Sequence, residues 1–165
     1  MGEFVPAGNA DRFRTALGRF GTGVTVVTIM GPRGPMGFTA NSFTGLSLDP
    51  PLVLWSPSKT SLRFTHFAKA HHFAIHVLGG EQLALVARFA RGGPGFAGLE
   101  HRTNAEGAPI LPQALARFDC ERYATHEAGD HLIIVGRVLR AESCDGEPLI
   151  FAHGRYGTFR PDDRA

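Results

Sequence analysis

Apolar residues recur at two different spacings along the chain. Phe13, Ala16, Leu17 and Phe20 fall at i, i+3, i+4 and i+7, which predicts one stripe of a short helix over residues 11–20. Asn9 or Asp11 is placed to cap its start, and Gly21 to supply the left-handed residue that ends it. Val24-Thr25-Val26-Val27-Thr28-Ile29 is β-branched throughout and predicts a buried strand. Gly31-Pro32-Arg33-Gly34-Pro35 reads as a turn, followed by short strands over residues 36–43 and 46–48. Pro50-Pro51 stops pairing, and Leu52 to Trp55 form the next apolar strand. Ser58 or Thr60 can cap a second helix carrying Leu62, Phe64 and Phe67.

The spacing returns to a strand at Phe73 to Leu78, closed by Gly79-Gly80. Leu83, Val86, Ala87 and Ala90 then predict a helix over residues 81–91. Residues 92–112 are rich in Gly and Pro and read as a long loop. Two long strands follow, residues 118–126 and 132–144, joined by Glu127-Ala128-Gly129-Asp130, with a last short strand at residues 149–151. Strands outnumber helices and do not alternate with them, so an antiparallel barrel with a few peripheral helices is expected, not a doubly wound sheet. The fold class is therefore mainly β.

The 165 residues suit one domain spanning 1–165, with a flexible N-terminus (1–10) and tail (158–165) expected. Charged residues are only 19% and hydrophobic ones 43%, which excludes a disordered chain. Seventeen Lys and Arg against fifteen Asp and Glu leave +2, too little to imply a nucleic-acid partner. No apolar run approaches a membrane span and no signal peptide is visible, so a soluble cytoplasmic protein with no membrane association is expected. Cys120 and Cys144 show no C-x-x-C spacing and read as buried, inert thiols in a reducing compartment.

Several apparent motifs lose their meaning in context. Gly93, Gly95 and Gly98 spell G-x-G-x-x-G, but they leave a helical segment and enclose Pro94. A dinucleotide fingerprint must leave a strand and open a helix. His72 and His76 are four apart on a strand, about 13 Å from one another, so structural or surface roles are expected and no metal site. No G-x-S-x-G elbow or carboxylate pair marks a catalytic residue. Asp130-His131 is the one acid–imidazole pair in a turn, equally consistent with turn geometry and with function.

Two polar clusters border apolar strands: Thr39-Ala40-Asn41-Ser42, and Ser56-Pro57-Ser58-Lys59-Thr60-Ser61. The second opens the predicted helix, whose free N–H groups favour an anion, and Lys59 adds positive charge. A helix cap beside a polar turn would explain Ser58 and Thr60 but neither Lys59 nor the first cluster. The residues alone point to a barrel that binds a phosphorylated ligand of unknown identity.

The chain also resembles a known family. Residues 13–20 and 23–28, Gly37-Phe38-Thr39-Ala40-Asn41-Ser42-Phe43, and Ser47-Leu48-Asp49-Pro50-Pro51-Leu52-Val53 are similar to the opening of the short-chain flavin reductases. The likeness continues through Phe73 to Leu78, Gln82, Phe89-Ala90, Phe96, Gly98, Pro109 and Leu111, and closes with Cys120, Gly129-Asp130-His131 and Gly136-Arg137-Val138. It implies an FMN-binding split β-barrel that forms a homodimer with flavin (FMN or FAD) near the subunit interface. It further implies hydride transfer from NAD(P)H C4 to flavin N5, and release of reduced flavin to a separate monooxygenase.

By this resemblance Thr39, Ala40, Asn41 and Ser42 would contact the isoalloxazine and ribityl chain, with Ser56, Phe89 and Ala90 nearby. Ser58, Lys59, Thr60 and Ser61 would receive the phosphate. Gly129, Asp130 and His131 would meet the nicotinamide nucleotide, with Tyr156 beside it and His131 aligning it. No catalytic acid or base is required. His76 departs from the family, where Asn is common, and Trp55 stands in a strand otherwise aliphatic. Two alternatives stay open: a flavin- or heme-binding split barrel without turnover, and a pyridoxine-phosphate-oxidase-like enzyme.

Overall fold

The computed structural model describes residues 2–90, 93 and 95–162. Twelve strands, three short α-helices and one 3-10 turn (Gly80–Gln82) lie among them, in the order α1 (Ala10–Leu17), β1 (Thr22–Gly23), β2 (Thr25–Gly31), β3 (Gly34–Ala40), β4 (Thr44–Leu48), β5 (Pro51–Trp55) and α2 (Phe64–Lys69). The chain continues through β6 (His72–Val77), α3 (Leu83–Phe89), β7 (Arg102–Thr103), β8 (Pro109–Ile110), β9 (Ala116–Ala128), β10 (His131–Ser143), β11 (Leu149–Ala152) and β12 (Arg155–Thr158). Seven strands form one antiparallel sheet in the order β3-β2-β6-β9-β10-β5-β4. A three-stranded sheet, β1-β11-β12, and the β7–β8 pair complete it. The mainly β architecture agrees with the expectation.

Strand β2 shows why the β-branched run at residues 24–29 has no polar face. Val27 and Ile29 enter a core with Val53, Trp55, Phe67, Phe73, Ile75 and Ile134. Val24 and Val26 enter a second core with Leu78, Val86, Phe89, Phe96, Leu111 and Leu149. A strand covered on both faces reads as continuous rather than alternating. Its two buried threonines direct their hydroxyls to backbone oxygens, Thr25 Oγ1 to Ala40 O (2.7 Å) and Thr28 Oγ1 to Pro109 O (2.6 Å).

His76 lies fully buried on β6, directly across from Val26. Its Nδ1–H donates to Val26 O (3.1 Å), and Nε2 accepts the Leu111 N–H (3.1 Å). The family departure noted above is therefore a structural clip between β2, β6 and the segment after β8. Nothing here brings His72 and His76 together, as their strand spacing implied.

Other expectations are corrected. α1 buries none of its residues, and Phe20 is 78% exposed, so the predicted stripe faces away from both cores. α1 ends at Gly18 in ordinary helical geometry (φ −65°), not at a left-handed Gly21. Asn9 stands at the N-cap position without a side-chain cap, its amide donating to Val5 O instead. The second helix begins at Phe64, with Arg63 before it, and Leu62 is 93% exposed. Arg155 to Thr158, for which no strand was predicted, form β12 against β11, so the tail expected from 158 begins on a paired residue. Its last three residues, 163–165, lie outside the described residues, as does Met1. Cys120 is buried as expected, its thiol pushed up to about 12 mainly by burial, but Cys144 is exposed.

The His76 clip has a consequence for acid stability. Burial pushes the imidazole down to about 4, because the charged form would lose its hydration there, and protonation would also cost the bond Nε2 accepts from Leu111 N–H. The unfolded chain takes up that proton near the ordinary value of about 6.5. The unfolded state thus binds more protons between these values, so stability is complete above about 6.5 and falls as pH drops toward 4. Thermal unfolding followed across this window should show a loss of up to about 3 kcal/mol, and His76→Asn should flatten that part of the profile.

Candidate functional site

Between the edge of the large sheet and the β11–β12 hairpin lies an open cleft of about 990 Å³. One wall is β3 from Pro35 to Thr39, continued by Asn41. The opposite rim is the turn that runs from Ser58 to Arg63. α3 contributes Val86 and Phe89, followed by Ala90; Gly95 and Phe96 come from the next loop, and Phe151 and Tyr156 from the hairpin.

The floor is set by close packing between β3 and α3. A Cβ on Gly37 would come within 2.2 Å of the Phe89 ring, so only glycine lets the helix sit this near the strand. Phe38 packs edge-on against Trp55 (5.7 Å) and Phe67 (5.4 Å), which ties the cleft wall to the first core. Thr39 Oγ1 donates to Val86 O (3.0 Å), a second bond between strand and helix.

Arg63 supplies what the sequence reading missed. Its Nη1 donates to Gly37 O (2.7 Å), its Nη2 to Ala90 O (2.8 Å), and its guanidinium lies over the Phe38 ring. Burial pulls its pKa below the ordinary arginine value. Among the described residues it is the cation lining the cleft. No sequence motif marks it, because its partners are backbone carbonyls from distant segments.

The two predicted polar clusters come together only in part. Thr39, Asn41, Ser58, Thr60, Ser61, Phe89, Ala90 and Tyr156 line the cleft, while Ala40, Ser42, Ser56 and Lys59 do not. Ala40 is buried in the core, and Ser42 Oγ is spent on Ser56, donating to its carbonyl (3.2 Å) and accepting its N–H (2.9 Å). Ser58 and Thr60 hydroxyls are 2.9 Å apart, and Ser61 Oγ accepts the Arg63 N–H (3.3 Å). Three hydroxyls thus gather on the rim without the helix N-terminus that the sequence suggested. An anion at this rim would meet the hydroxyls and the Arg63 guanidinium instead.

Lys59 also behaves differently from expectation. Its ammonium donates to Gly129 O and pairs with Glu127, pointing away from the cleft toward the β9–β10 turn. Its backbone N–H donates to Asp130 O (2.9 Å), and Leu132 N–H donates to Pro57 O (3.2 Å). Ser58 and His131 form a β-bridge between these bonds. The Gly129-Asp130-His131 turn is therefore fastened to the back of the hydroxyl rim, although none of its residues lines the cleft. His131 Nδ1–H donates to Asp130 (2.8 Å), which leaves Nε2 to a ligand and holds the Asp130 carboxyl below its usual range.

Gly93 and Gly95 border the cleft in a loop that follows α3, so they form no dinucleotide fingerprint; Pro94 lies outside the described residues.

An antiparallel split barrel with an open, hydroxyl-rimmed cleft at its edge defines a cofactor-binding class of protein. Residues 17–160 match the family described as flavin reductase like domain, and the chain belongs to that family. The FMN reductase (NADH) SmoA of Agrobacterium fabrum is 58% identical over 157 residues, 94% of this chain and 90% of that protein. The reductase subunit HsaB of a flavin-dependent monooxygenase from Rhodococcus jostii is 42% identical over 153 residues, 92% of this chain and 78% of that one. The structure of the Streptomyces globisporus NADH:FAD oxidoreductase SgcE6, solved with NAD and FAD fragments, superposes with a TM-score of 0.89 at 36% identity, covering 98% of this chain and 99% of the other.

The Gly37–Phe89 contact can be tested directly. Gly37→Ala should lower stability by about 1–3 kcal/mol, the usual cost of overpacking, and displace α3 from the cleft floor. Chemical denaturation checks the first effect. A variant as stable as the parent would show that α3 moves freely at this contact.

Proposed function

We propose that the chain is an NAD(P)H:flavin oxidoreductase, with NADH the expected donor, that releases reduced FMN or FAD to a separate monooxygenase component. The observation that carries this reading is the direct bonding of the hydroxyl rim to the Gly129-Asp130-His131 turn. Two candidate nucleotide-binding elements, far apart in sequence, are thereby joined, one on the rim of the cleft and the other behind it.

The cleft suits a flavin. Its volume lies at the upper end of the range for small-molecule and cofactor sites. Its walls are apolar over Met36, Phe38, Val86 and Phe89, with polar groups confined to the rim. Bound there, flavin would supply the hydride acceptor. Thr39 and Asn41 are placed to meet a polar ring edge or the ribityl chain, and Ser58, Thr60, Ser61 and Arg63 to receive a phosphate. Phe38 and Phe89 would exclude water from the ring faces. His131, oriented by Asp130, and Tyr156 would position the nicotinamide. The protein's contribution is alignment of two reactants, and alignment needs no general acid or base.

Residues 1–165 are read as one flavin reductase-like domain. A homodimer is part of the proposal, supported by exposed Phe13, Leu17, Phe20 and Leu48 on the single chain. Light scattering after size exclusion would test it. Cytoplasmic location fits the NADH donor and the absence of any cysteine pairing among the described residues. No helix among them is long and apolar enough to cross a membrane.

The first test is loss of the NADH absorbance band on mixing with FMN or FAD. Background rates at saturating flavin would overturn the proposal, and binding of flavin without turnover would favour a carrier. His131→Ala should raise the KM for NADH about fivefold while the flavin Kd changes less than twofold, the scale of about 1 kcal/mol for one hydrogen bond. Joint loss of flavin affinity and thermal stability, with KM unmoved, would make His131 a turn residue only.

Lys59→Ala separates two roles for that side chain. Because its ammonium holds the Gly129 carbonyl, the KM for NADH should rise roughly threefold to tenfold, and affinities for FMN and riboflavin should change equally. Selective loss of FMN binding would return Lys59 to the phosphate.

A further inference from the structure

We propose that His71, His72 and Glu121 form an exchangeable zinc site on the outside of the barrel. None of the three lines the cleft, so the inference stands apart from the flavin reading.

Adjacent residues on a regular strand point to opposite faces of its sheet. His71 and His72 do not. The chain bends at His71 before β6 begins, and the two imidazole rings meet edge to face with centroids 4.6 Å apart. Glu121 is the cross-strand partner of His72 on β9. The bend is fixed by Arg122, whose N–H donates to His71 O (2.7 Å) and whose Nη1 donates to Ala68 O (2.7 Å). Next to it β9 bulges, Tyr123 being the extra residue opposite the Val135–Gly136 step. Bend and bulge together turn three ligating side chains toward one point.

One ligand atom from each residue lies within 4.8 Å of the others, and His71 Nε2 is 3.1 Å from Glu121 Oε1. A tetrahedral zinc with bonds of about 2.0–2.2 Å separates its ligand atoms by roughly 3.3–3.5 Å. The His71–Glu121 edge already has nearly that length, and rotation of exposed side chains can close the rest. Two imidazoles and one carboxylate form a donor set of intermediate softness that suits zinc better than calcium or magnesium. Three protein ligands leave one position for water, and because the His71 and Glu121 side chains reach solvent the ion should exchange. When bound, zinc would join the start of β6 to β9, and ligation confined to the folded chain would raise stability. His72 was singled out in the sequence for its spacing to His76; its actual partners are its neighbour His71 and a carboxylate 49 positions later, which spacing alone does not reveal.

The experiment is titration of zinc into chelator-treated full-length protein against a chromophoric zinc indicator. A site with a Kd in the micromolar range or tighter is expected, with affinity falling at least tenfold in His72→Ala and in Glu121→Gln. In the unsubstituted protein, the ring proton resonances of His71 and His72 should shift on zinc addition, whether or not a variant folds. Unchanged affinity in the His71→Ala/His72→Ala double variant, or unshifted His71 and His72 resonances at zinc saturation, would overturn the proposal.

Discussion

The ladder between β9 and β10 is the constraint on which the other parts depend. Thirteen residues on each strand pair along nearly their whole length, and each strand also pairs outward, β9 with β6 and β10 with β5. Both halves of the large sheet therefore take their register from one hairpin. The two bulges in the ladder increase twist and bend the strands, as a sheet that wraps around a core requires. Gly136 sits beside one of them, where a Cβ would come within 2.7 Å of the Phe73 ring. The hairpin's own turn, with Gly129 at φ 62°, needs the left-handed region that glycine enters freely. That turn then reaches the rim of the cleft, so barrel register and site geometry are set together.

The cleft is held open mainly by bonds to backbone. Arg63 spans from β3 to the end of α3, and Thr39 repeats the link one turn of helix earlier. A planar guanidinium with donors in a fixed fork holds two carbonyls at a set separation, which a lysine ammonium would not. Partial desolvation of Arg63 is the cost of this placement, offset by its two charge-assisted hydrogen bonds and by the Phe38 ring beneath it. The width of the cleft is thus a property of main-chain positions, insensitive to the rotamers of its apolar lining.

Most strands were legible in the sequence because β-branched and aromatic runs are bounded by glycine and proline. The buried run at residues 24–29 and the two long strands around Gly129 are the clearest cases. The start of the second helix was misplaced because Ser58 and Thr60 have the chemistry of helix caps, but their hydroxyls close a turn between themselves. β12 was missed since Arg155-Tyr156-Gly157-Thr158 has no apolar alternation; its order comes from pairing with β11. The candidate site was legible as two polar clusters and a turn, yet their joining by main-chain bonds was not, since backbone partners leave no trace in residue type. For the same reason Arg63 carried no signal, while the charge of Lys59 did not reveal its partners, Glu127 and the Gly129 carbonyl.

β12 is an edge strand with every residue exposed, held on one side only by four residues of β11. Such a strand has few apolar contacts and solvent-facing amides, the marks of a segment that opens at low free energy while the main sheet stays folded. Tyr156 rides on that strand and forms part of the cleft wall. Fraying of the hairpin would therefore widen the cleft without breaking any pairing of the seven-stranded sheet. Passage of a bulky ring system through that wall would be set by local unfolding, on a timescale independent of global stability, and readable as early hydrogen exchange at the β12 amides.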